Sequence, residues 1–178
     1  MRKNGEEKRK ERPSAKAAVK TSLVLILSAC LAISLIGCGA ATQPAASPFS
    51  LDVAEAGERL YDGLVFRETL EELPPEILYV LLGIDESDVL GQKNYFSSGA
   101  TAEEIIVFQG VNAEAAARLE AVLAERIQEQ KDIYAAYGPQ EVVYLQGAVL
   151  LTKGDYVLYC VASGGEEAQA LAKEILAD

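Results

Sequence analysis

Residues 92–123 read QKNYFSSGATAEEIIVFQGVNAEAAARLEAVL, and the way this stretch partitions decides the kind of fold the chain makes. Residues 94–97 and 104–109 are rich in aromatic and β-branched side chains, and Ser98, Gly99, Ala100 and Thr101 between them carry turn chemistry. That pattern predicts two strands joined by a turn. Thr101 and Glu104 also have the spacing of a capping box, which would start a helix instead. The run Ile105, Ile106, Val107, Phe108 has strand composition and argues against it. Beyond it, Ala116, Leu119, Val122, Leu123, Ile127, Ile133, Tyr134 and Tyr137 form one apolar stripe over residues 112–137. This predicts a helix about 39 Å long at 1.5 Å per residue, stopped by Gly138 and Pro139.

The same order recurs downstream. Residues 147–152 and 156–162 read as strands joined by Lys153, Gly154 and Asp155, and Ser163 stands where it would cap a helix over 166–176 with Leu171 and Ile175 on its apolar face. The segments VNAEAAARLEAVL (111–123) and SGGEEAQALAKEIL (163–176) occupy matching places. Upstream, Val53, Gly57, Leu60, Tyr61 and Leu64 fall at helical spacing after the possible caps Ser50 and Asp52. Leu73, Pro74 and Pro75 interrupt the chain. A short helix over 76–82 follows, its continuous apolar character predicting burial and Gly83 marking its end. The expected fold is α+β: an antiparallel sheet of about four strands in a repeated strand-strand-helix order, with helices on one face and one or two helices before it.

The N-terminal part obeys different rules. All eight Lys and Arg of the first 20 residues precede an uncharged run, TSLVLILSACLAISLI (21–36), as a secretory leader requires. Sixteen residues are short against the roughly 20 a spanning helix needs. Removing the leader's 8 basic and 3 acidic residues from the totals of 16 and 27 leaves 8 and 24, a net charge of −16. Such a domain is a poor ligand for nucleic acid, whose binding depends on neutralised phosphates, and favours basic partners. The basic flank places the N-terminus in the cytoplasm during insertion. Val19, if encoded by GUG, would start a compact version of this leader.

Leu35, Ile36, Gly37 and Cys38 resemble the lipobox at the processing site of bacterial lipoproteins. There the Cys thiol is alkylated by a diacylglyceryl group, and the small residue before it admits the peptidase. The resemblance implies cleavage between Gly37 and Cys38, lipid attachment at Cys38, and anchoring by two acyl chains, each buried CH₂ contributing about 0.8 kcal/mol. The expected organisation is a signal peptide (1–37), a lipidated Cys and tether (38–49) and one domain (50–178). The tether GAATQPAASPF would span roughly 18 Å as a flexible chain.

Little in the domain points to catalysis. The chain has no His, which removes the commonest general base. A Ser/Lys pair of Ser97 or Ser98 with Lys153 is conceivable, although all three stand in expected turns. Asp85, Glu86, Ser87 and Asp88 gather oxygen ligands without the spacing of a calcium loop and read as a capping turn. One Cys outside the leader and lipobox, Cys160, lies in an apolar run and reads as a small buried hydrophobe. Ser163, Gly164 and Gly165 before a helix suggest phosphate recognition, but Glu166 and Glu167 would occupy that positive end themselves. No metal or cofactor is implied. Ser97, Ser98, Tyr137 and Gln140 are the candidate interaction surface, Tyr137 being either an exposed recognition residue or a core residue closing the long helix.

The lipobox, SSGATAEEI (97–105) leading into VFQGVNAEAA, YAAYGPQEV (134–142) and KGDYVLYCVA together resemble the bacterial lipoprotein family of unknown function numbered 4358, over most of residues 51–177. The resemblance implies a small exported, lipid-anchored domain typical of Gram-positive anaerobes, and supplies no catalytic residues. The expected protein is a non-enzymatic binding module on the outer face of the cytoplasmic membrane, its partner an envelope protein or small ligand. An envelope hydrolase or transferase with a His-free site is the alternative.

Overall fold

The computed structural model describes residues 49–178. Gly37 and Cys38, with the expected signal peptide and most of the tether, lie outside the described residues. The element order is α1 (Val53–Gly63), α2 (Pro75–Leu82), a 3-10 turn (Glu86–Asp88), β1 (Val89–Phe96), β2 (Glu104–Gly110), α3 (Ala113–Tyr137), α4 (Pro139–Gln146), β3 (Val149–Lys153), β4 (Tyr156–Val161) and α5 (Gly165–Ile175). Both hairpins form as expected, and Glu104 begins a strand, so the capping-box alternative is set aside. The sheet runs β1-β2-β4-β3, antiparallel throughout, with Ile106 opposite Tyr159 in the central pair.

Local chemistry explains the helix ends. Asp52 accepts hydrogen bonds from the backbone N–H groups of Ala54 and Glu55, and Asn112 accepts from Ala115 N–H, which satisfies first-turn donors left without helical partners. Gly83 closes α2 in the left-handed region, at φ 66°, donating to the carbonyls of Tyr79 and Val80. Ser163 does not cap α5. Gly164 takes that position without a side-chain bond, and the Ser163 hydroxyl turns instead to the Glu103 carboxylate at 2.8 Å. Pro139 is where α4 starts rather than simply where α3 stops, because the missing N–H of proline is harmless in a first helical turn. Taken only as a helix stop, Pro139 leaves 138–146 without an element, and the structure fills that interval with α4.

Helices cover both faces of the sheet, not one. Ile105, Val107, Leu158 and Cys160 pack with Leu60 of α1 and Ala168, Ala172 and Ile175 of α5. Their neighbours Ile106, Phe108, Val157 and Tyr159 pack on the other face, with Leu78 of α2, Leu119 and Leu123 of α3 and Leu145 of α4. A central strand buried on both faces has no polar positions to alternate with, and IIVF and VLYCV show that continuous pattern. The strand-strand-helix order does recur, as β1-β2-α3 and β3-β4-α5, but the two-sided cover leaves the two units without a common two-fold arrangement. A two-fold axis normal to the sheet between β2 and β4 would relate the hairpins and put α3 and α5 on the same face, yet they lie on opposite ones. At the α4–α5 approach the backbones of Gly147 and Gly165 nearly touch: a Cβ on Gly165 would stand 3.0 Å from the Gly147 carbonyl oxygen.

The apolar run of α2 is not buried as a whole. Leu78 is enclosed, whereas Val80 is 83% exposed and Ile77 and Leu81 about half exposed. Among the described residues no helix is long and apolar enough to cross a membrane.

Candidate functional site

The loop between β1 and β2 is built as a rigid arch. Ser97 Oγ donates to the Thr101 carbonyl at 2.7 Å, and Gly99 turns the chain at φ 94°. Ser98 Oγ and Thr101 Oγ1 both donate to the carboxylate of Glu68, at 2.7 and 2.8 Å. Those hydroxyls hold Glu68 below the usual carboxylate range, because they stabilise its charged form. From α3 the Tyr134 hydroxyl reaches the Thr101 carbonyl at 2.5 Å and the Gly99 carbonyl at 3.1 Å. Burial, reinforced by neighbouring Tyr137, pushes the Tyr134 phenol well up, so it stays protonated and donating.

Between this arch, the C-terminal half of α3 and the end of α2 lies a cleft of about 330 Å³. It brings together Ser97, Ser98 and Tyr137 from two distant parts of the sequence, and adds Gln130, Ile133 and Leu81. Tyr137 is 64% exposed, which decides between its two readings against the core one. Its ring lies 5.1 Å from that of Tyr134. Gln140, exposed on the first turn of α4, is outside the cleft lining.

The floor of the cleft is an ion pair that the local pattern hid. Arg126 of α3 grips Glu104 through Nε at 2.9 Å and Nη2 at 2.7 Å, and Tyr159 donates to the same carboxylate at 2.7 Å. Burial is the largest single influence on Arg126 and would lower its pKa, but the bond to Glu104 together with the charges of Glu104, Tyr159 and Glu129 turns the net shift upward. The adjacent residue, Glu103, faces the other side and belongs to a second network. Arg67 donates to Glu103 through Nε at 3.1 Å and to Glu141 through Nη1 and Nη2 at 2.7 and 2.5 Å, with its guanidinium 3.9 Å from the centre of the Tyr144 ring. Bonds from Arg67 hold Glu141 low. A signal for both networks exists in the sequence: charged residues at the head of an apolar strand must be paired if buried.

The remaining candidates have structural employment. Lys153 sits at the opposite end of the sheet from Ser97 and Ser98, over the Phe49 ring and donating to the Leu176 carbonyl, so the Ser/Lys pair does not form. Asp85 caps the 3-10 turn through Ser87 N–H, and Asp88 makes a bidentate pair with Arg118, as a capping turn should. Cys160 is enclosed, its thiol pushed up by burial and by Glu104 and Glu103, and thus unreactive. The serine hydroxyls of the cleft donate to a backbone carbonyl and to a weakly basic carboxylate, an arrangement suited to holding a loop rather than activating a nucleophile. An exposed aromatic ring beside hydroxyl, amide and aliphatic groups is equipped to bind.

No curated protein and no solved structure matches the chain. Residues 67–162, which contain both buried ion networks, the arch and the long helix, match the family model described as Domain of unknown function (DUF4358), and the chain belongs to that family.

Proposed function

We propose that the protein is a lipid-anchored module of the outer face of the cytoplasmic membrane that binds an envelope protein or small ligand through the cleft between the 97–103 loop and α3, without catalysing a reaction on it. The observation that carries the anchoring is the sequence Leu35, Ile36, Gly37, Cys38 at the end of an apolar run behind a basic segment. Binding is supported by a braced cleft whose serine hydroxyls are committed to the Thr101 carbonyl and to the weakly basic Glu68 carboxylate, and whose Tyr137 ring is open to solvent.

Replacing Cys38→Ala is expected to move the protein out of the membrane fraction or leave it unprocessed, and the wild-type N-terminal peptide should carry the mass of a diacylglyceryl group. Unchanged fractionation together with an unlipidated wild-type N-terminus would overturn the anchoring. For the binding half, a photo-crosslinking residue at position 137 in intact cells should capture a discrete partner, and the same probe at exposed Gln169 on the opposite face should not. Equal capture from both positions would overturn it.

A further inference from the structure

The binding reading says nothing of the partner's chemistry, and the surface around the cleft supplies it. Ile133 is 48% and Tyr137 64% exposed on α3, and Leu81 of α2, 49% exposed, lines the same cleft, while its neighbour Val80, 83% exposed, lines the adjoining shallow hollow on the outer side of α2. A second hollow of about 150 Å³ shares Leu81 and Arg126 with the cleft and extends the depression to Val122. Val122, Arg126, Gln130, Ile133 and Tyr137 recur every three or four residues, so they lie on one face of α3. The open groove therefore follows the helix for about 22 Å at 1.5 Å per residue.

Its rim is anionic. Glu125 and Glu129 line the second hollow, and Glu76 and Glu86 line a shallower one beside Val80. All four are exposed, and none is in an ion pair among the described residues. Arg126, the basic side chain lining these hollows, is held by Glu104. Exposed apolar side chains along the lips of the groove, Leu81, Ile133 and Tyr137, with unpaired carboxylates beside them, complement a helix that is apolar on one side and cationic on the other. A second copy of this domain would meet the groove with its own excess of carboxylates, 24 against 8 basic residues. An anionic bilayer would be repelled for the same reason.

We propose that the α2–α3 groove docks a cationic amphipathic helix of another envelope protein, with its apolar side on Val80, Leu81, Ile133 and Tyr137 and its Lys or Arg side chains toward Glu76, Glu125 and Glu129. The proposal rests on the binding reading above and adds to it the class of partner.

The test uses the full lipidated chain in phosphatidylcholine nanodiscs, with empty discs as the blank. The probe is a fluorescent Leu/Lys amphipathic peptide of about 18 residues, and the control is a Leu/Glu peptide of the same pattern. The Leu/Lys peptide should bind, more weakly as salt rises, and the Leu/Glu peptide should not. Val80→Asp and Ile133→Asp should each weaken binding at least about tenfold; the change at Val80, 83% exposed, should leave thermal unfolding nearly unchanged, and that at Ile133, half exposed, should lower the melting temperature only modestly. Each substitution adds a negative charge, so attraction by net charge alone requires equal or tighter binding. That result overturns the proposal, as does binding of the Leu/Glu peptide or no binding above empty discs. Association of loaded discs with one another, or adsorption to phosphatidylglycerol vesicles, abolished by Val80→Asp in place of peptide binding, gives the groove to a second copy or to lipid and also overturns it. If the position-137 probe captures a partner while the peptide fails, the cationic helix is refuted and the binding module survives; if both fail, both fall.

Discussion

Removing the Arg67 guanidinium is the sharpest test of the energetics, because two buried carboxylates depend on it. Arg67→Met deletes three charge-assisted hydrogen bonds. Glu103 keeps the Arg67 backbone N–H, Thr101 Oγ1 and Ser163 Oγ, whereas Glu141, 2% exposed, keeps only Ala102 N–H. Stripping one partner from a buried ion pair costs about 3–5 kcal/mol. Protonation of Glu141 limits the loss. From its ordinary value of 4.5, neutralising it at about pH 7 costs about 3.4 kcal/mol, but only about 0.7 kcal/mol at about pH 5, at 1.36 kcal/mol per pH unit. The expected loss is therefore about 3 kcal/mol at neutral pH and about 1 kcal/mol near pH 5. The sign follows from proton uptake. In the wild type Glu141 is held low by Arg67, so its contribution is complete above the unfolded value of 4.5 and disappears as pH falls through the lower folded one. In the variant the folded state binds the extra proton, so stability rises as pH falls from 7 to 5. Urea unfolding at both pH values measures this. A loss under about 1 kcal/mol at neutral pH, or one that is the same at both, would refute the account. Adding Glu141→Gln to Arg67→Met should recover part of the loss at neutral pH.

Two further substitutions probe the arch and the helix crossing. Tyr134→Phe should cost about 1 kcal/mol, one net hydrogen bond. It should raise amide exchange across residues 97–103 while leaving α5 unchanged; unaltered loop exchange would mean the hydroxyl does not brace the arch. Gly165→Ala gains helix propensity but drives a methyl against Gly147 backbone, 3.0 Å from its oxygen and 3.1 Å from its Cα. A net loss of about 1–2 kcal/mol is expected, and a higher melting temperature would show that the α4 end yields freely.

What was legible in the sequence was set by local periodicity. The aromatic and β-branched composition of 104–109 and 156–162, the long stripe of α3 and the Asp52 cap predict elements close to those observed, because each is decided by neighbours within a few residues. The arrangement of helices about the sheet was written there too, in strands too uniformly apolar for one wet face. That Glu103 and Glu104 need partners was legible, but which residues pair with them was not. Arg67 meets Glu103 and Glu141 across 36 and 74 residues, and Arg126 meets Glu104 across 22, separations at which no periodicity constrains a partner. Nor was exposure. Val80, Ile133 and Tyr137 satisfy helical patterns for burial, and only the finished packing leaves them uncovered.

The two neighbouring glutamates explain why the cleft is a preformed one. Glu103 and Glu104 stand at the head of β2 and point to opposite faces of the sheet. One is tied through Arg67 to α4 and to Ser163 before α5, the other to Arg126 of α3 and Tyr159 of β4. Ser163 thereby joins the α5 side, and Arg126 and Arg67 the α3 and α4 side, to the same end of central strand β2, at the foot of the arch that Tyr134 and Glu68 also hold. A partner settling on Tyr137 and Ile133 meets walls whose ordering entropy was lost in folding, so less of its contact energy goes to immobilising the site. The same rigidity sets a limit on how the cleft works. With the loop bonded at both ends and braced in the middle, recognition follows the standing shape and charge of the groove, and closure over a small ligand would require breaking the Tyr134 and Glu68 contacts that make the arch.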